Sequence, residues 1–258
     1  MENFYKKKSL GQNFLKNVGI LKKIVDAGEV KNGEMVLEIA PGEGNLTKEL
    51  LLRGAKVIAV EKDNRLIPIL EQKFSANISS GQLTLIHSDI LNFSPVFYKL
   101  QATSYKLIAN IPYYITGEII RKALSEWPQP SKIVIMIQKE VAERIVARDG
   151  KESLLSISVK VYGEPRIYAV VKAGSFSPAP KVDSAILIVE NLSKDRPWTE
   201  KKWFEIIKAG FAHKRKLLSS NLKPIFGNVV ENRLATCGIP LNARAENLTV
   251  ENWLCLSA

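Results

Sequence analysis

Between residues 35 and 137 the chain repeats one alternation, and that alternation leaves few folds open. Apolar runs at 35–40, 56–60, 83–86, 105–109 and 133–137 are separated by stretches with helical spacing at 45–53, 63–74 and 116–127, and another helix follows from about 140 to 148. The apolar runs are continuous rather than alternating. Strands of that kind are buried on both faces, which requires a parallel sheet with helices packed on each side. Asn45 is the expected N-cap of the second helix of the chain and Gly54 its stop. Pro68 is expected to kink the helix over 63–74 near its start.

Outside this core the pattern changes. Residues 18–30 carry a helical apolar stripe at Ile20, Leu21, Ile24 and Val25. Runs at 167–171 and 185–189 flank a Pro-rich stretch, 176–183, and suit an antiparallel finish to the sheet. Residues 191–197 read as a polar linker, and the remainder as helical and basic. The expected domains are therefore 1–192, including a basic N-terminal segment and helix over 1–31, and a small helical domain over 193–258.

The 258 residues carry a net charge of +11, unevenly spread. Residues 1–31 hold +4, residues 32–192 hold +2 and residues 193–258 hold +5. A nearly neutral middle with basic ends suits a polyanionic partner. No apolar run spans a bilayer, and the first residues lack the apolar stretch of a signal peptide. A cytoplasmic protein without a membrane partner is expected. Two cysteines, Cys237 and Cys255, and two histidines, His87 and His213, make neither a disulfide framework nor a metal centre. The cysteines read as reduced and partly buried.

Ligands of doubly wound sheets bind beyond the carboxyl ends of the strands. Four successive strand ends carry polar signals here. The first is Ala40-Pro41-Gly42-Glu43-Gly44, whose glycines let a ligand approach backbone at a helix N-terminus. Glu61 ends the second strand and suits ribose hydroxyls. Asp89 ends the third and can accept from an adenine amine. Asn110-Ile111-Pro112-Tyr113 ends the fourth. There an amide carbonyl and a backbone carbonyl can accept from an exocyclic amine, Pro112 fixes the backbone, and Tyr113 can stack on a base. A dinucleotide site would place a third glycine where Thr47 stands. S-adenosylmethionine lacks the pyrophosphate, makes less demand on the loop, and is the favoured cofactor.

These segments, together with Ser9-Leu10-Gly11-Gln12-Asn13-Phe14-Leu15, Leu37-Glu38-Ile39, Tyr114, Gln138-Lys139-Glu140-Val141-Ala142 and the run from Phe176 to Ser184, resemble the ribosomal RNA adenine N6-dimethyltransferase family, and within it the small-subunit branch. The resemblance spans nearly the whole chain. It implies a Rossmann-like class I methyltransferase sheet with a small all-helical C-terminal domain. It also implies a monomer that dimethylates two adjacent adenosines near the 3′ end of 16S rRNA in the small ribosomal subunit, in ribosome biogenesis, and releases S-adenosylhomocysteine. Gln12, Asn13 and Leu15 are then expected at the methionine end of the cofactor, with Ala40 and Gly42 presenting backbone, Glu61 on the ribose and Asp89 on the adenine. Asn110, with Pro112 and Tyr113, is expected between donor and target amine. RNA contacts are expected from Lys6, Lys7, Lys8, Tyr114, Phe176, Lys214, Arg215 and Lys216. Arg144 and Arg148, four apart on one expected helix face, join them.

Three departures stand out. Ala40 occupies a position where the family usually has glycine, which is tolerable at negative φ. Glu152-Ser153 replaces a usual Tyr-Gly pair. The run from His213 to Leu218 lacks a usual threonine. The large-subunit branch, linked to macrolide resistance, shares the Asn-Ile-Pro-Tyr spelling. A non-catalytic assembly or nucleic-acid-binding factor is the other alternative.

Overall fold

The computed structural model describes residues 14–193 and 200–258. Lys6, Lys7, Lys8, Gln12 and Asn13 lie outside the described residues. Two compact units emerge. One runs to Ala142 and resumes over Arg166–Leu192; the other comprises Glu143–Pro165 and Ser193–Ala258. Residues 143–165 group with the C-terminal helices.

In chain order the elements are β1 (Phe14–Leu15), α1 (Val18–Ala27), β2 (Met35–Ile39), α2 (Asn45–Leu52), β3 (Lys56–Glu61), α3 (Ile67–Lys73), α4 (Ser75–Ser79), β4 (Leu83–His87), β5 (Tyr105–Asn110), α5 (Thr116–Arg121), β6 (Lys132–Gln138), α6 (Lys139–Val146), α7 (Leu154–Lys160), β7 (Glu164–Val171), β8 (Phe176–Ser177), β9 (Ser184–Glu190), α8 (Glu200–Gly210), α9 (Leu218–Phe226), α10 (Val230–Thr236) and α11 (Val250–Ser257). Seven strands form one sheet in the order β4-β3-β2-β5-β6-β9-β7. The pairs β3/β4, β2/β3, β2/β5 and β5/β6 are parallel. β9 runs antiparallel to β6, the finish the sequence suggests. Val36, Val57, Ile108 and Val134 pack with Ile24, Leu50 and Leu70 into a single core cluster. Their strand neighbours Leu37, Ile58, Leu107 and Ile133 are buried too. Burial at both parities is what makes the apolar runs continuous.

The strand order reverses between β2 and β5, so a crevice opens at the carboxyl ends of β2, β3, β4 and β5. A two-stranded ribbon, β1 with β8, pairs Leu15 with Phe176.

Several local expectations need correction. Asn45 is not a cap: Gly44, at φ 75°, takes that position, and the Asn45 amide donates instead to the Leu15 carbonyl at 3.1 Å. Pro68 does not kink a helix. It sits in the first turn of α3, where its missing N–H costs nothing, and the helix begins at Ile67 rather than at Asp63. α5 passes into a π-type turn over Lys122–Glu126. α6 ends at Val146 because Ala147 turns into the left-handed region at φ 53°. α7 has no counterpart in the sequence reading. It is seven residues long and is started by a reciprocal Ser153–Ser156 cap.

In the second unit Trp203, Ile206, Ile207, Leu218, Leu222 and Trp253 form an all-helical core. α8 and α11 meet at Gly210, where a Cβ would lie 2.3 Å from the Trp253 ring. Cys237 and Cys255 are disulfide-bonded, which corrects the expectation of free thiols. The end of α10 and α11 share this core. Residues 18 apart in sequence thereby come to 5.8 Å between Cα atoms, inside bridging range. No described helix is long and apolar enough to cross a membrane.

Candidate active site

The four strand-end signals line a single cavity. Ala40, Gly42, Glu61, Asp89, Asn110 and Tyr113 all face it, as do Leu15, Pro112, Tyr114 and Phe176. Glu38, absent from the expected site, faces it as well.

The loop after β2 is shaped by protein packing as much as by any ligand. Gly42 and Gly44 have φ of 62° and 75°. A Cβ on Gly42 would stand 2.8 Å from the Phe14 ring, and one on Gly44 would stand 2.5 Å from the Phe74 ring. Both glycines are therefore required by backbone conformation and by neighbouring aromatics. The clearance was read from sequence as room for a ligand; these rings occupy it.

Ala40 has φ of 53°, and its N–H donates to the Val60 carbonyl at 2.9 Å. The alanine is thus not accommodated at negative φ. A left-handed residue with a Cβ costs about 1–2 kcal/mol, partly offset by the greater freedom glycine gives the unfolded chain. Ala40→Gly is expected to stabilise the protein by about 0.5–1 kcal/mol, read as a higher urea midpoint at unchanged m-value. A lower midpoint would show that the methyl group packs productively.

Glu61 is 5% exposed. Its Oε2 accepts from the Gly42 N–H at 3.1 Å and its Oε1 from the Asp63 N–H at 2.8 Å. Burial raises its carboxyl above the usual range, and these amides oppose the rise. The bonds tie the glycine loop to the end of β3. Each oxygen keeps a lone pair, so the group suits two adjacent hydroxyls.

Asp89 caps the turn over Ile90–Asn92 by accepting from the Leu91 N–H at 3.0 Å, and it pairs with Lys62 at 2.7 Å. Burial pushes its carboxyl up, but Lys62 and the Leu91 amide outweigh burial and hold it below the usual value. It is the ionised acceptor of the site.

Asn110 ends β5, and its side chain has no hydrogen-bond partner among the described residues. Pro112 follows at φ −58°. The Tyr113 hydroxyl bonds Ser184 at 2.6 Å. Burial raises its phenol, and the Ser184 bond opposes the rise. Tyr114 is 60% exposed and Phe176 is 6% exposed. Only Tyr114 of these two presents a free surface.

Glu38 was missed because it reads as part of an apolar strand. It is 1% exposed, and its Oε2 has no hydrogen-bond partner among the described residues. Burial pushes its carboxyl up to about 8; the Glu61 charge adds to this, and the Thr47 hydroxyl and amide oppose it. The only available signal was an acid within an otherwise apolar run. Thr47, 1% exposed on α2, fills the place a dinucleotide loop reserves for glycine.

The cationic candidates divide. Lys214, Arg215 and Lys216 form an exposed loop after α8, with no acidic partner among the described residues. The buried Asn221 amide holds this loop by donating to the Gly210 and His213 carbonyls at 2.7 and 3.1 Å. Arg144 is exposed on α6. Arg148 lies beyond the end of α6 and pairs with Glu143, so the two arginines do not share a helix face as expected. No cluster of metal-ligating side chains occurs among the described residues.

A small-subunit ribosomal RNA methyltransferase A from Dehalococcoides mccartyi is 42% identical, over 97% of this chain and 87% of its own. The crystal structure of a dimethyladenosine transferase from Plasmodium falciparum superposes with a TM-score of 0.77 at 29% identity, covering 94% of this chain and 95% of that one. The 23S rRNA methyltransferase ErmE gives a TM-score of 0.76 at 26% identity, covering 95% and 98%. Residues 3–258 match the ribosomal RNA adenine dimethylase family, and the chain belongs to it.

Proposed function

We propose that this enzyme uses S-adenosylmethionine to dimethylate N6 of two adjacent adenosines near the 3′ end of 16S rRNA in the small ribosomal subunit, acting in the cytoplasm as a monomer during ribosome biogenesis. The observation that carries the reading is an amide with no side-chain partner among the described residues, Asn110, facing the same cavity as a buried ribose-type acid, Glu61, and an ionised acceptor, Asp89. The small-subunit branch is favoured over the large-subunit one because the small-subunit relative is the more similar in sequence, at 42% against 26% for ErmE.

The residues present fit the cofactor. Glu61 would hold the ribose, Asp89 the adenine amine, and Leu15 and Ala40 the methionine end. When bound, the cofactor supplies a methyl group on a positively charged sulfur. The chain must supply positioning. An exocyclic amine is a poor nucleophile because its lone pair is delocalised into the ring. The Asn110 side-chain carbonyl and the Ile111 backbone carbonyl, accepting its two N–H bonds, favour a pyramidal nitrogen with its lone pair free. Pro112 fixes the backbone that aims both carbonyls. Tyr113 stacks on a base taken out of its helix, with Tyr114 at the cavity mouth. No strong general base is needed, since the nitrogen becomes acidic once alkylated. Positioning and electrostatics carry the rate.

The test is methyl transfer to unmethylated small subunits, naked small-subunit RNA and large-subunit RNA, with nucleosides identified by mass spectrometry. N6,N6-dimethyladenosine at adjacent small-subunit positions is expected. Product on large-subunit RNA alone would move the protein to the other branch, and RNA binding with no product on any substrate would favour the assembly factor.

Lys214, Arg215 and Lys216 are proposed phosphate contacts. Replacing all three with alanine should flatten the plot of log affinity against log salt by roughly 2–3 units, weakening all sequences alike. An unchanged slope would remove this loop from the interface.

A further inference from the structure

Ser184 is fully buried at the start of β9, in register with Gln138 at the end of β6. Its hydroxyl has a single described partner, the Tyr113 hydroxyl at 2.6 Å. The residue before it is fixed on three sides. The Asp183 carboxylate accepts from Lys172 at 2.9 Å and from the Ala173 N–H at 3.1 Å, and the Asp183 carbonyl accepts from the Lys139 N–H at 3.0 Å. Ser184 therefore sits on a rigid anchor, and Tyr113 hangs from it by its phenol oxygen. The other end of that side chain is fixed by the Pro112 backbone and the short 3-10 turn over Tyr113–Ile115.

The geometry points to Ser184 as the positioning residue for the Tyr113 ring: by holding the phenol oxygen it fixes the plane against which a target base stacks. The inference rests on the dimethylation reading and deepens it. A ring held at both ends has already lost the freedom that base binding would otherwise have to remove. Either hydroxyl can be the donor, and in both cases the bond ties down the phenol oxygen while the ring face stays available to a base. This also gives the Asp183-Ser184 pair, at the end of the run from Phe176, a task behind the cavity-lining Tyr113, where the sequence shows only a family motif.

Two measurements test it. The first is single-turnover methyl transfer in Ser184→Ala, Tyr113→Phe and the double variant. The loss of one hydrogen bond's worth of positioning is expected, about five- to tenfold in each, with the double variant no worse than either single one and cofactor affinity unchanged. Ser184→Cys, which retains a weak donor, should recover part of the rate. The second is the NMR spectrum of ¹³C-labelled tyrosine in the free protein. The Tyr113 ring signal is identified by its disappearance in Tyr113→Phe, and it should shift or broaden in Ser184→Ala. An unmoved Tyr113 signal in Ser184→Ala would overturn the assignment, as would losses that multiply in the double variant. The ring signal needs no substrate. Should the wild-type enzyme prove inactive on small-subunit RNA, the functional reading fails while the spectrum still decides whether Ser184 orients the ring.

Discussion

Asn110→Ala is expected to lower the single-turnover methylation rate by about a hundred- to a thousandfold while leaving cofactor affinity largely intact. The size follows from what is removed. A group placed to hydrogen-bond the reacting amine in a cavity from which the bound cofactor and base exclude water is worth far more than the same bond on a surface. Asn110 is free to play that part because its side chain has no partner among the described residues, whereas Glu61 and Asp89 are each tied to backbone amides. The substitution should also cost little stability. Asn110 is partly exposed at the end of β5, with no described side-chain bond to lose. Asn110→Asp keeps two acceptor oxygens and should lie between wild type and the alanine variant. The readings are single-turnover rate and cofactor titration on the same preparation. An equal loss of rate and of cofactor affinity would make Asn110 a cofactor ligand and move the amine-binding role elsewhere in the cavity.

What was legible in the sequence is what repeats or what ends a strand. β2, β3, β5 and β6 are buried on both faces, so each announces itself as a near-continuous apolar run. Once a parallel sheet is inferred, the polar residue at each strand end must face the crevice, and Glu61, Asp89 and Asn110 do. What stayed hidden depends on contacts between distant segments. Gly44 caps α2 because Phe74 takes its Cβ space and because Asn45 is drawn away to Leu15. Ala40 turns left-handed in a loop held by Glu61 and Val60, although nothing in its own side chain favours that conformation. The Cys237–Cys255 pairing follows from the packing of α10 and α11 and not from spacing. α7 is short, and its Ser153–Ser156 cap carries little weight in a single sequence. Glu38 was passed over because burial, the property that perturbs it, also places it inside an apolar run.

Glu38 therefore carries the second large expectation, a fall in folding stability as pH rises from about 5 to 8. Its carboxyl titrates near 8 in the folded chain, against an ordinary 4.5. Between those values the unfolded chain has lost the proton and the folded chain still holds it. The unfolded state then binds fewer protons, so stability must drop with rising pH through this window and level off above about 8. The drop is on the order of 4 kcal/mol if Glu38 acts alone. The groups facing it act in both directions. Glu61, itself raised by burial, adds to the slope; Thr47 and Lys73 favour the ionised form and limit it. Asp89, held below its ordinary value, contributes only at lower pH, where stability falls as the solution is acidified. Glu38→Gln keeps the shape and removes the titration. The variant should match wild type near pH 5 and exceed it by several kcal/mol near pH 8, measured by urea unfolding across that range. A wild-type curve that is flat between pH 5 and 8, with the glutamine variant parallel to it, would mean that Glu38 is ionised in the folded protein. Its buried charge would then need a counter-charge, and among the described residues Lys73 is the cation that acts on it.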